Sequence, residues 1–381
     1  MACAQIAFHL AFLFNSICLI TLFAYFMAMV WAWYGWVKLY DKIVEADSPG
    51  FITSIVIAAR NEAINLPLLL NDLARQAYPA KLLEIIVVDD HSDEKISLLP
   101  TIVNYQGQNL QIVELSDNKH GKKQALAEGV SHSKGELLVF TDADCRVSEY
   151  WVNEHVKKYI KEDSGMTIGL VNYLPNKGLF QIFSRFDLIS LVITGAGFSN
   201  LGRSTICSGA NLAVKRDLYI KVVNQLKNKL LSGDDIFLLH AIKQLKSEKI
   251  SVLKSRGSIV NTDSPKNMGE FVSQRLRWAS KSKHYSDRDT IILTILVLIA
   301  NLSLVVSFTG FLINQKIFVF VLLFVFKIIA DGSILFAGLR YFGGLKYLVL
   351  LPLFELIYPF YILFVAIGSL FMKIFWKGRK V

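Results

Sequence analysis

The sequence predicts an α/β domain with a mostly parallel sheet, carrying transmembrane helices at both ends. Three observations predict it. Apolar, β-branched runs of strand length alternate with stretches of helical periodicity through the middle of the chain. Both ends are nearly free of charge, with no Asp, Glu, Lys or Arg before Lys38 and none in residues 290–315. Polar clusters fall where the apolar runs stop, and in doubly wound sheets ligands bind beyond the carboxyl ends of the strands.

The 381 residues are 53% apolar and 19% charged. That is too apolar for an ordinary soluble protein and too charged for a bundle of spans alone. A crossing helix needs ~20 apolar residues, and four segments qualify: 7–34, 290–313, 317–339 and 347–372. They divide the chain into an anchor (1–40), a domain large enough for its own core (50–285) and C-terminal transmembrane or interfacial helices (289–375). Lys38 and Lys42 follow the first span, while Lys281, Lys283 and Arg288 precede the second. Basic flanks mark the cytoplasmic side of a cell (inner) membrane, so the middle domain is expected there. Three further spans would put Lys373, Lys377, Arg379 and Lys380 outside, against the same rule. Residues 347–372, with Pro352, Glu355 and Pro359, are therefore a candidate for a re-entrant or interfacial segment. The net charge of +10 suits anionic membrane lipids near the span ends, since no basic stripe interleaved with aromatics suggests nucleic acid. Four scattered cysteines read as free thiols. Nothing in the sequence names a protein partner.

Within the middle domain, 51–59, 83–88, 110–115 and 137–141 read as strands, the first, second and fourth as buried ones. Helices are expected from about Asn61, which can cap one, and from Gly121 to Gly129. The cluster Arg60-Asn61-Glu62, the pair Asp89-Asp90 and the pair Asp142/Asp144 sit at the ends of the three buried strands.

Each cluster admits two readings. Asp142 and Asp144, at i and i+2 as a strand runs out, place two carboxylates on one side; a hard cation such as Mg²⁺ or Mn²⁺ relieves their repulsion, while the plain alternative is a solvated loop. Asp89 and Asp90 form an ordinary turn or hydrogen-bond a nucleotide's base or ribose. Lys122, at a helix start, suits a phosphate or is a surface lysine. Of Asp234 and Asp235, either caps a helix or one is a general base, worth ~10²–10⁴-fold in rate. Gln274, Arg277 and Trp278, spaced i, i+3, i+4, share one helix face. That face offers a diphosphate a guanidinium and a sugar an indole, or else is the face of an interfacial helix. Lys327 and Asp331, i and i+4 in a span, mark a pathway or a self-neutralising pair.

Taken in order, Ser54-Ile-Val-Ile-Ala-Ala-Arg-Asn-Glu62, Val87-Val-Asp-Asp90, Gly121-Lys-Lys-Gln-Ala-Leu126, Thr141-Asp-Ala-Asp144, Gly233-Asp-Asp235 and Gln274-x-x-Arg-Trp278 closely resemble the membrane-bound family 2 glycosyltransferases of GT-A nucleotide-diphosphosugar fold. This branch includes cellulose, chitin and hyaluronan synthases and ceramide glucosyltransferases. The resemblance covers roughly residues 50–285. It implies that Glu62, Asp89 and Asp90 line the nucleotide pocket and that Lys122 sits near the phosphates. It implies that Asp142 touches nucleotide and metal, that Asp144 is the principal metal ligand and that Asp235 is the catalytic base. Gln274, Arg277 and Trp278 would bind diphosphate and acceptor, and 207–211 would shape the acceptor side. The implied activity is inverting transfer of a hexose or N-acetylhexosamine from a nucleotide diphosphate, of the UDP class, to a lipid or glycan acceptor, with Mg²⁺ or Mn²⁺. The chain departs from the pattern in having Gly233-Asp234 before the base and in lacking the Phe-x-Val-Thr-x-Lys gating motif. Alternatives are a processive polysaccharide synthase and a non-catalytic nucleotide-binding transport component.

Overall fold

The computed structural model describes residues 2–40, 50–105, 107, 109–174, 177–226, 233–314, 317–372, 375–376 and 379–380; Lys42, Lys373 and Lys377, used above as topological markers, lie outside the described residues. The chain opens with a 37-residue helix, α1 (Ala2–Lys38), whose first charged residue is Lys38 in its last turn. A run of strand–helix units follows: β1 (Thr53–Ala59), α2 (Asn65–Leu73), β2 (Leu83–Asp89), the single turn α3 (Pro100–Val103), β3 (Asn109–Glu114), α4 (Lys122–His132) and β4 (Leu137–Asp142). β1, β2 and β4 are buried almost throughout, as unbroken β-branched strands covered on both faces should be. Successive side chains alternate between faces. Ile55, Ile57, Ile85, Val87 and Val139 join Leu69 of α2 in one core, and Val56, Ile86, Val88 and Phe140 join Leu126 of α4 in the other.

One expected detail is corrected. Asn61 does not cap α2, which begins four residues later with Ile64 at the cap position and no side-chain cap. Asn61 instead adopts φ +55° and exchanges two hydrogen bonds with Asp93, through its Oδ1 to the Asp93 N–H and its Nδ2 to Asp93 Oδ2. Asn tolerates the left-handed region better than most residues, so the residue that signals a cap serves here to tie two strand-end loops together.

The domain continues through β5 (Cys145–Arg146), α5 (Trp151–Glu162), β6 (Ser164–Gly169), β7 (Val171–Tyr173), the 22-residue α6 (Leu179–Asn200), β8 (Leu212–Lys215), α7 (Arg216–Val222), α8 (Asp234–Leu245), β9 (Lys249–Leu253), β10 (Val260–Thr262) and α9 (Met268–Ser280). The main sheet has the order β3-β2-β1-β4-β8-β6-β9, with β5-β10-β7 as a smaller sheet beside it. In the main sheet neighbours are parallel except β8, which runs antiparallel to β4 and β6.

Three long helices close the chain, α10 (Arg288–Asn314), α11 (Ile317–Phe342) and α12 (Leu351–Phe371), before a two-residue-strand ribbon of β11 (Phe375–Trp376) and β12 (Arg379–Lys380). Among the described residues five helices, not four, are long and apolar enough to cross a membrane, the addition being α6. Its position in the chain argues against a crossing. It leaves β7 and returns to β8, strands of the same domain, and an irregular return through hydrocarbon would leave backbone groups unsatisfied. α12 also ends beside the domain. Lys283 Nζ donates to the Leu370 carbonyl at 3.1 Å, and Gly368 abuts Leu276 of α9. Just before α12, Arg185 of α6 donates to the Phe342 carbonyl at 3.0 Å. Both ends of α12 therefore face the domain, leaving α1, α10 and α11 as the helices that lead away from it or towards it.

Candidate active site

The site gathers at the carboxyl edge of the sheet, where each strand ends in a polar residue. At the end of β1, Arg60 Nη1 donates to the carbonyls of Asp90 and His91, both at 2.8 Å. Buried Glu62 accepts from Asn65 Nδ2 at 2.8 Å. At the end of β2 the two aspartates part ways. Asp89 accepts the N–H groups of Ser92 (2.9 Å) and Ile96 (3.1 Å), and its carboxylate serves to shape that loop rather than to line the cleft. Asp90 lines the cleft and accepts from the Gly121 N–H at 3.1 Å.

Gly121, with φ +92°, is the residue before α4, and it delivers Lys122 to the middle of the cleft. Lys122 Nζ lies 2.6 Å from Asp142 Oδ1 and 3.1 Å from Asp234 Oδ2. Burial disfavours its charge, but Asp142, Asp234 and Asp235 outweigh burial and raise the ammonium above its ordinary value. Asp142 ends β4, and Asp144 follows in a turn. Ligand atoms of Asp142, Asp144 and Cys145 lie within 4.8 Å of one another. Burial and the two aspartates push the Cys145 thiol well up, and hard cations prefer oxygen to sulfur ligands. The donor set offered to an ion is thus the two carboxylates, oxygen ligands that fit Mg²⁺ or Mn²⁺.

Gly233, at φ +89°, opens α8 and places Asp234 and Asp235 in its first turn. Neither caps the helix by a side chain. Asp235 accepts from the N–H groups of Ile236 (2.7 Å) and Gly209 (3.3 Å), and its Oδ1 is 3.4 Å from Lys281 Nζ. Burial pushes its carboxyl up, yet Lys281 and Lys122 more than reverse that and hold it at about 2. Gly209 belongs to the 207–211 loop, whose first four residues line the cleft; Asn211 is buried, held by Trp151, His155 and two backbone carbonyls.

From α9, Gln274, Arg277 and Trp278 all reach the same cavity. Burial lowers the Arg277 pKa against the pull of Asp142 and Asp234, without approaching neutrality for a guanidinium. The sequence reading passed over Arg275. It is buried, donates to Asp187 of α6 at 2.5 Å and to Gln274 Oε1 at 2.6 Å, and stacks 4.1 Å above the Trp278 ring. It thereby fixes the motif that surrounds it. Asp187 and Lys281 were missed as well. Their only sequence signal is a charge inside an apolar stretch for Asp187 and proximity to the Trp278 motif for Lys281.

Asp142, Asp144, Asp234, Asp235, Lys122 and Arg277 line one cavity of about 920 Å³. Its wall continues past the 207–211 loop between α6, α10 and α12 to Tyr25 of α1 and Asp331 of α11. There Lys327 bridges Asp331 (2.5 Å) and Glu355 (2.6 Å), and the Tyr25 hydroxyl donates to Asp331 at 2.5 Å. The expected pair of Lys327 and Asp331 is therefore one part of a larger polar cluster.

Residues 54–222 match the model of glycosyl transferase family 2. Glycosyltransferase AglE of Haloferax volcanii is 27% identical over 184 residues, which cover 48% of this chain and 58% of that protein. Polypeptide N-acetylgalactosaminyltransferase 11 of Xenopus tropicalis is 39% identical over 219 residues, covering 52% and 35%. The chain thus spans less than two thirds of the length of these relatives. Mannosyltransferase PcManGT of Pyrobaculum calidifontis, solved with GDP-Man and Mn²⁺, aligns over 94% of this chain and 99% of that one with a TM-score of 0.55 and 17% identity. At that identity the likeness is one of fold, the GT-A fold.

Proposed function

We propose that this chain, a family 2 glycosyltransferase by its residues 54–222, moves a sugar from a nucleotide diphosphate to an acceptor hydroxyl at the cytoplasmic face of the cell membrane. The observation that carries the reading is the meeting of two strand-end carboxylates, Asp142 and Asp144, with Lys122, Arg277 and a buried carboxylate, Asp235, in one cleft. A UDP-sugar bearing a hexose or N-acetylhexosamine is the donor class, in keeping with the N-acetylgalactosaminyltransferase among the relatives.

Glu62 and Asp90 take the nucleoside end. Asp142 and Asp144 would hold Mg²⁺ or Mn²⁺, which would supply positive charge to offset that building on the departing diphosphate. Lys122, at Asp142, would meet the donor phosphates, and Arg277 would grip the diphosphate bidentately. Asp235 is ionised at neutral pH and accepts a proton. The acceptor oxygen attacks the anomeric carbon, the bond from that carbon to the diphosphate breaks, and the hydroxyl proton passes to Asp235. Because the Asp235 carboxylate is a weak base beside Lys281, the proton moves late, once the new C–O bond has made the oxygen acidic. A single displacement inverts the anomeric centre.

Asp235→Asn keeps the side chain's size and removes its basicity. Turnover should fall by ~10²-fold or more, with donor binding little changed. Near-native turnover of labelled nucleotide sugar by this variant would remove Asp235 as the base.

A further inference from the structure

Asp90 lines the cleft, and beside it stand two histidines that do not, His91 and His120. Ligand atoms of the three lie within 4.8 Å of one another, and the imidazole ring centres are 4.7 Å apart. His91 Nδ1 is 3.1 Å from Asp90 Oδ1. Two ligands of one tetrahedral zinc ion, at bonds of 2.0–2.1 Å, stand about 3.3 Å apart. The group is also held from behind. Arg60 donates to the carbonyls of Asp90 and His91, and His91 is kept at φ +58°, a left-handed backbone in which histidine is commoner than most residues. The Gly121 N–H donates to the second oxygen of Asp90 at 3.1 Å, and the His120 N–H to Gln124 Oε1 at 2.9 Å. The His120 side chain is exposed and closes the remaining distance by turning.

The nitrogens change which ion such a group selects. The all-oxygen pair Asp142 and Asp144 suits Mg²⁺ or Mn²⁺, whereas two imidazoles with one carboxylate suit Zn²⁺. An outer partner is at hand as well. His91 Nε2 is closed off from solvent and makes no hydrogen bond among the described residues. Asp117 Oδ1 lies 3.8 Å from it, on a fully exposed side chain that can shorten that gap. When Nδ1 gives its lone pair to an ion, the imidazole proton sits on Nε2 and donates to Asp117. A ligating histidine is commonly oriented by a carboxylate in this way.

We propose that Asp90, His91 and His120 form a second metal site, selective for Zn²⁺ over Mg²⁺, whose filling opposes donor binding. Zinc on Asp90 Oδ1 withdraws a carboxylate from the nucleoside end of the cleft; that consequence rests on the glycosyltransferase reading given above, while the site itself does not. Purified full-length protein in detergent, cleared of metal by chelation, is titrated with Zn²⁺ against a chromogenic chelator in excess Mg²⁺. His120→Ala and His91→Asn should each weaken zinc binding about ten-fold or more, since even outer-shell partners are worth that much; Asn also tolerates the left-handed backbone at 91. The double variant Asp142→Asn/Asp144→Asn should keep this zinc. No zinc on the parent protein, unchanged affinity in either histidine variant, or loss of zinc from the double aspartate variant overturns the site. Co²⁺ in place of zinc should show no thiolate charge-transfer band, and such a band would put the ion on Cys145 instead. With Mg²⁺ present, zinc should weaken UDP binding about ten-fold, the worth of one hydrogen bond to a charged group, in the parent but not in His120→Ala. No effect of zinc on UDP binding by the parent overturns the opposition to the donor. Absence of UDP binding before zinc is added would count against the glycosyltransferase reading, while the metal site stands or falls on the zinc titration.

Discussion

Asp235 is held by two N–H groups and a lysine 3.4 Å away, and this sets a pH signature. Its carboxyl is depressed, chiefly because Lys281 and Lys122 outweigh the effect of burial. A depressed carboxylate contributes stability that is complete above the unfolded value of about 4 and is lost as pH falls through the folded value. The acid limb of the rate should therefore lie below about pH 4. Lys281→Met removes the largest influence lowering Asp235, so its pKa must rise and the acid limb must move to higher pH, read from kcat between pH 3 and 8. An unmoved limb would mean that the limb belongs to another group. The same residues show what the sequence could say. Asp142, Asp144, Asp235, Lys122 and Arg277 were legible because each sits where a strand ends or on a helix whose pattern is plain. Asp89 carried the same strand-end signal as Asp90, yet only the folded loop reveals that Ser92 and Ile96 take up its carboxylate. Arg275 was invisible because its role depends on Asp187, 88 residues away in the chain.

Among the elements, the strands were the most readable, since a buried parallel strand needs an uninterrupted β-branched run and little else. α6 was the least. Arg185 and Asp187 break its apolar sequence, and their partners lie on other elements: Asn172 and Phe342 for Arg185, Arg275 and Tyr358 for Asp187. Its packing on α1 rests on two glycines. A Cβ on Gly197 would collide with the Ala32 carbonyl, and one on Gly35 with the Gly197 carbonyl. Small residues permit this close crossing of backbones, as they do between membrane helices generally. Gly197→Val must push α1 away from α6, and overpacking of this kind typically costs about 1–3 kcal/mol. The thermal unfolding midpoint of the purified protein in detergent should drop accordingly. A midpoint equal to that of the parent would show that α1 is not seated on α6 as described.

For the whole molecule, the charge rule and the span count disagreed when read from sequence, and the packing of α12 favours the charge rule. α10 leads away from the domain and α11 leads back, bringing Arg340 to the end where Phe342 meets Arg185 of the domain. If α12 then crossed, its C-terminal turn would sit a full bilayer, about 30 Å, from the catalytic side; instead Leu370 is bonded to Lys283, which precedes α10. Exposed positions on either side of α12 allow a direct check. Lys346→Cys and Met372→Cys should both react with a membrane-impermeant maleimide in inside-out vesicles and neither in intact cells, whereas Phe318→Cys, at the far end of α11, should behave oppositely. The described native cysteines interfere little, since Cys18 and Cys145 are buried and Cys207 is partly so. Labelling of Met372→Cys in intact cells would mean that α12 traverses the membrane.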